Sequence, residues 1–167
     1  TWIDYGHDAA GNRDLVTTPA GTTHYLHDAR NRLWKVWRDA ETETVYTYTA
    51  TNQVETITYP NAVVATHLYD DAGHLEEISW TRGGPPTEFM AFDYLPDRAG
   101  RRRELHEYRD GVLARSSLYT PDELDRLTVE RIVKPGQPDR IITYGYDAVG
   151  NRVTRVVEVG TDVVEDV

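Results

Sequence analysis

The sequence predicts an all-β fold, an antiparallel meander of short hairpins, and three observations predict it. A turn motif of the form ring-Asp-x-x-Gly/Asn recurs along the whole chain. Runs rich in tyrosine and β-branched residues flank each copy. Helical periodicity is weak throughout; its best rival, Pro121-Asp122-Glu123-Leu124-Asp125, suffices for one helical turn inside the sixth copy.

In chain order, the first copy reads Tyr5-Gly6-His7-Asp8-Ala9-Ala10-Gly11-Asn12-Arg13. A degenerate second runs from Tyr25-Leu26-His27-Asp28 to Asn31-Arg32-Leu33, and a third from Tyr46-Thr47-Tyr48-Thr49 to Asn52-Gln53-Val54. The fourth is Tyr69-Asp70-Asp71-Ala72-Gly73-His74-Leu75. The fifth, Tyr94 to Gly100-Arg101, and the sixth, Tyr119 to Asp125-Arg126-Leu127, read as copies with extra residues in the turn. The seventh, Tyr144-Gly145-Tyr146-Asp147-Ala148-Val149-Gly150-Asn151-Arg152, is complete. The last ring before each turn falls at 7, 27, 48, 69, 94, 119 and 146, giving spacings of 20, 21, 21, 25, 25 and 27 residues. Such a unit is too short for a helix plus strands but accommodates two strands of about 5–8 residues and two turns.

Turn chemistry explains the motif. The Asp carboxylate accepts from backbone N–H groups further along a type I turn, and Gly or Asn takes the left-handed backbone that returns the chain. The structural turn residues are therefore Asp8, Gly11, Asp28, Asn31, Asn52, Asp70, Gly73, Gly100, Asp147 and Gly150, in turns near 8–11, 28–31, 49–52, 70–73, 95–100, 120–125 and 147–150. Alternate tyrosines such as Tyr46/Tyr48 and Tyr144/Tyr146 share one strand face. A second kind of turn joins one repeat to the next, at Thr18–Gly21, Asp39–Glu41, Tyr59–Ala62, Gly83–Pro86, Arg109–Gly111 and Lys134–Asp139. Asp110-Gly111 is the strongest local hairpin signal among them. Alternating the two turn types gives roughly fourteen strands in one domain, residues 1–167.

Composition sets the outer bounds. The chain has 167 residues and 39% hydrophobic content, with 11 Tyr and 4 Trp against 2 Phe, which suits a half-wet sheet better than a hydrocarbon core. A net charge of −10 argues against nucleic acid and anionic membrane as partners. With no cysteine, disulfides and thiolate metal sites are excluded. No run approaches the length of a membrane helix, so membrane insertion is not expected, and the chain reads as a piece of a longer repeat array.

The repeats resemble the YD repeats of bacterial Rhs proteins, of toxin-complex shell subunits and of teneurins, whose pattern is Tyr-Asp-x-x-Gly-Arg-Leu or a Gly-Asn-Arg variant. Tyr146, Asp147, Gly150, Asn151 and Arg152 match fully, as do Tyr69, Asp70, Gly73 and Leu75, with His74 in the Arg place. Asp8, Gly11, Asn12 and Arg13 match with His7 for Tyr; Asp28, Arg32 and Leu33 match in the second copy. The third keeps Tyr48 alone, and the fifth and sixth lose the Tyr-Asp pair. The resemblance implies a long antiparallel sheet curling into a spiral or part of a hollow shell. It also implies a secreted or cell-surface setting, and partners in the rest of the parent protein and an enclosed C-terminal effector. The Asp-Pro-rich boundary that precedes toxin release in such proteins is missing, since no Asp-Pro dipeptide occurs.

Sharper chemistry finds little support. The turn aspartates lack the oxygen count of a calcium site. The neighbours Asp70/Asp71 and Glu76/Glu77 point to opposite faces of a strand and do not flank one bond. No zinc spacing, seryl elbow or phosphate-cradling loop is present, so no enzyme, cofactor or metal is expected. His7, His27 and His67 stand where other repeats put Tyr. The basic residues after the turn, Arg13, Arg32, His74 and Arg152, are expected near it or paired with an acid across strands. The alternative function is a carbohydrate- or ligand-binding surface using Trp34, Trp37 and Trp80, whose rings offer flat apolar faces to a glycan. Open edge strands leave self-association as a further partner mode.

Overall fold

A computed structural model describes residues 2–83 and 87–166. It contains fifteen strands: β1 (Asp4–His7), β2 (Arg13–Thr18), β3 (Gly21–His27), β4 (Leu33–Arg38), β5 (Thr44–Tyr48), β6 (Val54–Thr58), β7 (Val63–Tyr69), β8 (Leu75–Arg82), β9 (Thr87–Pro96), β10 (Arg102–Arg109), β11 (Val112–Pro121), β12 (Leu127–Val133), β13 (Arg140–Tyr146), β14 (Arg152–Val159) and β15 (Asp162–Asp166). Their order in the sheet is their order in the sequence, and the pairings are antiparallel. The fifteenth strand exceeds the expected count by one. It follows a turn at Gly160, whose φ of 62° reverses the chain into Asp162-Val163-Val164.

The stretch with the best helical potential, 121–125, is not helical: Pro121 ends β11, and the next residues form a plain turn before β12. The fifth and sixth turns are not enlarged either. They span 97–101 and 122–126, and the extra residues lie in β9 and β11, ten residues each. Pro96 and Pro121 occupy the place held elsewhere by the ring beside the turn. Of the expected linking turn at 83–86, only Gly83 lies within the described residues.

The chain forms two compact units. One comprises residues up to His67 with Trp80–Thr87; the other comprises Leu68–Ser79 with Glu88 onward. In the first, the register Tyr46↔Ile57↔Ala65 puts Tyr46, Tyr48, Ile57 and the buried Val63 and Ala65 on one face. Threonines 47, 56, 58 and 66 fall on the face opposite. In the second, Ile142 pairs with Val157, which is fully buried, and the neighbouring row contains the equally buried Ser117 opposite Ile132. The core is thus a thin band of short side chains within a sheet that leaves many large hydrophobics exposed.

Candidate functional site

The feature built most consistently is the turn that closes each motif. Seven five-residue turns span 8–12, 28–32, 49–53, 70–74, 97–101, 122–126 and 147–151. In every one the first residue's N–H donates to the fifth residue's carbonyl, and the fourth's N–H donates to the first's carbonyl, at 2.8–3.1 Å. The fourth residue has positive φ: Gly11, Asn31, Asn52, Gly73, Gly100, Asp125 and Gly150. This is a type I turn followed by a left-handed residue, a standard short hairpin connection.

The first side chain clamps the loop. In the six copies that begin with Asp, one carboxylate oxygen accepts from the N–H groups of the third and fifth residues, as Asp28 does from Arg30 (2.8 Å) and Arg32 (3.0 Å). The other oxygen accepts from the fifth side chain: Asn12 and Asn151 Nδ2, Arg32, Arg101 and Arg126 Nε, and His74 Nδ1, at 2.7–3.0 Å. Donors on both oxygens stabilise the ionised form. The backbone N–H and side chain of Arg32 hold Asp28 at a pKa of about 2, and the Arg101 side chain does the same for Asp97. Asp8, Asp70 and Asp147 are lowered chiefly by their fifth side chains, and Asp122 chiefly by the Arg126 N–H. Thr49 replaces Asp in the third turn, and its Oγ1 accepts from the Gln53 N–H at 3.1 Å.

The fifth residue also reaches the next turn. In the first unit Asn12 donates to Asn31 Oδ1 at 3.0 Å, and Arg32 donates to Asn52 Oδ1 at 3.0 Å. In the second, His74 fills the space where a Cβ on Gly100 would stand, 2.5 Å from its Nε2, Arg101 pairs with Asp125, and Arg126 donates to the Asp147 carbonyl. Each successor in these pairs is a turn, and all but the last contact is at its left-handed fourth residue. Rings complete the stitch. Tyr48 Oη donates to the Leu33 carbonyl (2.5 Å) beneath the Arg32 guanidinium, and Tyr146 Oη donates to the Leu127 carbonyl (2.7 Å) beneath Arg126.

The basic residues after the turn divide into two classes. Arg32 and His74 are fifth residues and bind their own turn Asp. Arg13 and Arg152 stand one position later and lie over Tyr25 and Tyr144 instead, because Asn12 and Asn151 occupy the clamp. Asp97, Arg101, Asp122 and Arg126 make full clamps that a search anchored on a preceding ring passes over. Their signal is Asp-x-x-Gly/Asp-Arg, read without the tyrosine.

Trp34, Trp37 and Trp80 occupy different settings. Past six of the seven motif turns, all but that at 70–74, the register shows the ladder slipping by one residue, leaving an unpaired bulge residue two places after the turn; Trp34 is that residue between Lys35 and Leu33. It lines an open depression of about 550 Å³ with Asp28, Arg32, Tyr46 and Tyr48, and Lys35 Nζ sits 4.6 Å from its ring centroid. Trp37 stacks on His24 at 5.0 Å, and Trp80 is half-buried in β8. Burial lowers the pKa of His67. Among the described residues no group of three His, Asp or Glu is placed to hold a metal ion, and no helix is long and apolar enough to cross a membrane.

Residues 3–163 match the family described as Teneurin YD-shell. Similar solved structures include the crystal structure of TcdB2-TccC3-Cdc42, with a TM-score of 0.82 and 18% identity over 99% of this chain and 9% of that one. The crystal structure of TcdB2-TccC3 aligns at 0.80 and 18% identity over 94% of this chain and 9% of that one. The Photorhabdus luminescens Tc holotoxin pore carrying TccC3-D651A aligns at 0.80 and 18% identity over 96% and 9%. The chain therefore spans about a tenth of the length of these neighbours. A search of curated proteins by sequence finds none that matches.

Proposed function

We propose that this chain, which belongs to the Teneurin YD-shell family, is a length of structural wall whose work is mechanical rather than catalytic. The observation that carries this reading is the clamped turn, repeated at seven hairpins and tied, within each unit, to the turn that follows. Such a ladder specifies register and resists fraying at a sheet margin, which is what a thin wall needs and an active site does not. The aspartates that invite a catalytic or metal reading have their lone pairs committed to N–H donors.

In the finer reading the parent is a secreted or cell-surface protein, and residues 1–167 form one continuous YD-repeat domain that separates an enclosed effector from solvent. The designated turn residues, from Asp8 and Gly11 to Asp147 and Gly150, serve as its register marks. Glycan binding through Trp34, Trp37 and Trp80 is not favoured, because Trp37 is already stacked on His24 and the exposure of Trp34 follows from its bulge.

Single cysteines on the two faces of the sheet give a direct test, in a parent background whose own exposed cysteines have been replaced. Thr143 and Tyr144 are neighbours in β13 and project to opposite faces. In the parent protein, Thr143→Cys and Tyr144→Cys should differ sharply in reaction with a bulky maleimide, one labelled and one protected until denaturation. Equal labelling of both in the native parent would sink the enclosing-wall reading.

A further inference from the structure

We propose that a basic cleft in the second unit binds a tetrahedral oxyanion, phosphate or sulfate, carried on a small organic group. The cleft has a volume of about 310 Å³ and is lined by Arg115, Lys134 and Arg140, with Gln137 as a neutral donor and Ile132 and Val159 as an apolar floor. No acid lines it. In a chain of net charge −10, three cations around one small space run against the global balance.

The strand register brings them together. Ile132 pairs with Arg140, which pairs in turn with Val159, so these three share a row across β12, β13 and β14. Arg115 and Lys134 adjoin Ser116 and Val133, the pair that ends the β11–β12 ladder. Glu107 faces Arg115 from β10 at 3.6 Å and offsets its charge, which leaves Lys134 and Arg140 as the unmatched cations of the cleft. The other side of the cleft is fixed by backbone: the Gly160 N–H donates to the Asp139 carbonyl at 2.9 Å, and Pro138 packs beside Gly160.

Pairing elsewhere sharpens the contrast. Arg131, next to the cleft, is tied to Asp139, and Arg109 is tied to Glu107. Among the described residues, Lys134 and Arg140 have neither an ion pair nor a side-chain hydrogen bond. Guanidinium, ammonium and amide donors lining one cleft match the oxygens of a phosphate or sulfate group. The cleft is larger than one such group, and its apolar floor suits the carbon skeleton that bears it. This inference stands apart from the wall reading and survives or fails on its own.

The test is titration of the chain with inorganic phosphate, inorganic sulfate and glucose 6-phosphate, against chloride at matched ionic strength, followed by calorimetry and amide chemical shifts. The expected result is saturable one-to-one binding of the oxyanions, with shifts centred on residues 115, 132, 134, 137, 140 and 159. Lys134→Gln and Arg140→Gln should each weaken binding about tenfold, the loss of one charged hydrogen bond. Arg131→Gln should bind as the parent does, and Lys134→Arg should retain binding. Tighter binding of glucose 6-phosphate than of inorganic phosphate places the carrier on the Ile132–Val159 floor. Shifts that follow ionic strength alone, or undiminished binding in the Lys134→Gln/Arg140→Gln pair, would overturn the proposal.

Discussion

The linking turn at 59–63 and the motif turn at 70–74 have the same backbone and different chemistry. In both, the first N–H donates to the fifth carbonyl and the fourth N–H donates to the first carbonyl, with a positive-φ residue fourth, Ala62 in one and Gly73 in the other. Only the motif turn has a carboxylate first. Asp70 accepts from Ala72, from the His74 N–H and from the His74 ring, whereas Tyr59 accepts nothing through its side chain and Asn61 Oδ1 takes the Val63 N–H. Hairpin geometry is therefore available without aspartate. What Asp adds is a clamp on the loop and, through the fifth residue, a tie to the next turn.

The largest expected effect follows from titrating all the clamps at once. The six clamping aspartates, Asp8, Asp28, Asp70, Asp97, Asp122 and Asp147, have folded pKa values below the ordinary 3.8, about 2 for Asp28 and Asp97. A depressed folded pKa means the unfolded chain takes up the proton first. Stability from these groups is thus complete above the unfolded value and drains away as pH falls from about 5 toward 2. Thermal melts by circular dichroism should show a steep decline across that window. Amide shifts at Arg30 and Arg32 should move with it, while those at Asn61 and Val63, in the turn without a carboxylate, stay still. Parallel movement of both turns would erase the distinction between them.

Next in size is the left-handed position. Gly150 has φ 92° and no neighbour where a Cβ would stand, so a substitution there tests backbone strain alone. Gly150→Val should cost about 1–3 kcal/mol by denaturant unfolding. Gly150→Asn should cost much less, since Asn31 and Asn52 already hold this position at φ 60° and 69°. Asp71→Ala, in the exposed second position of its turn, should stay within about 0.5 kcal/mol.

Why some of this was legible in the sequence and some was not follows from what each residue answers to. Asp and Gly answer to local backbone geometry, so Asp8, Gly11, Asp147 and Gly150 can be read from four consecutive letters. The fifth residue answers to two turns at once, which is why Arg32 and His74 were expected near an acid but Arg101 and Arg126 were not identified. Spacing by ring position misplaced the fifth and sixth turns because Pro96 and Pro121 replace the adjacent ring while the turn itself keeps its length. The bulge that lifts Trp34 out of the ladder is invisible in composition. It arises from the twist and register of a hairpin whose loop ends in a left-handed residue.

A smaller effect should come from the ring hydroxyls. Tyr146 Oη donates to the Leu127 carbonyl under the Arg126 guanidinium, an arrangement with no counterpart at Tyr59. Tyr146→Phe should cost about 1 kcal/mol, the net worth of one hydrogen bond. Tyr59→Phe should be close to neutral. Equal losses would mean that the tyrosines act through ring packing alone, and that the stitch between motif turns is weaker than their geometry indicates.

The smallest effect tests the comparison from the other side, by improving the plain turn. Ala62 sits at φ 61° without a side-chain carbonyl to compensate, a conformation that costs an ordinary residue roughly 1–2 kcal/mol. Ala62→Gly removes that strain but gives the unfolded chain more freedom, worth about 0.4–1 kcal/mol in the opposite sense. The balance predicts a stabilisation of about 0.5 kcal/mol, visible as a small rise in Tm. Tyr59→Asp in the same background should then add a pH-dependent increment that appears only above the carboxylate range, because the new carboxylate would meet the Asn61 N–H and take over the Val63 N–H from Asn61 Oδ1, in the manner of Asp70. A gain from Ala62→Gly with none from Tyr59→Asp would show that the clamp needs its fifth side chain, and that the tie between turns, rather than the turn itself, is what aspartate serves.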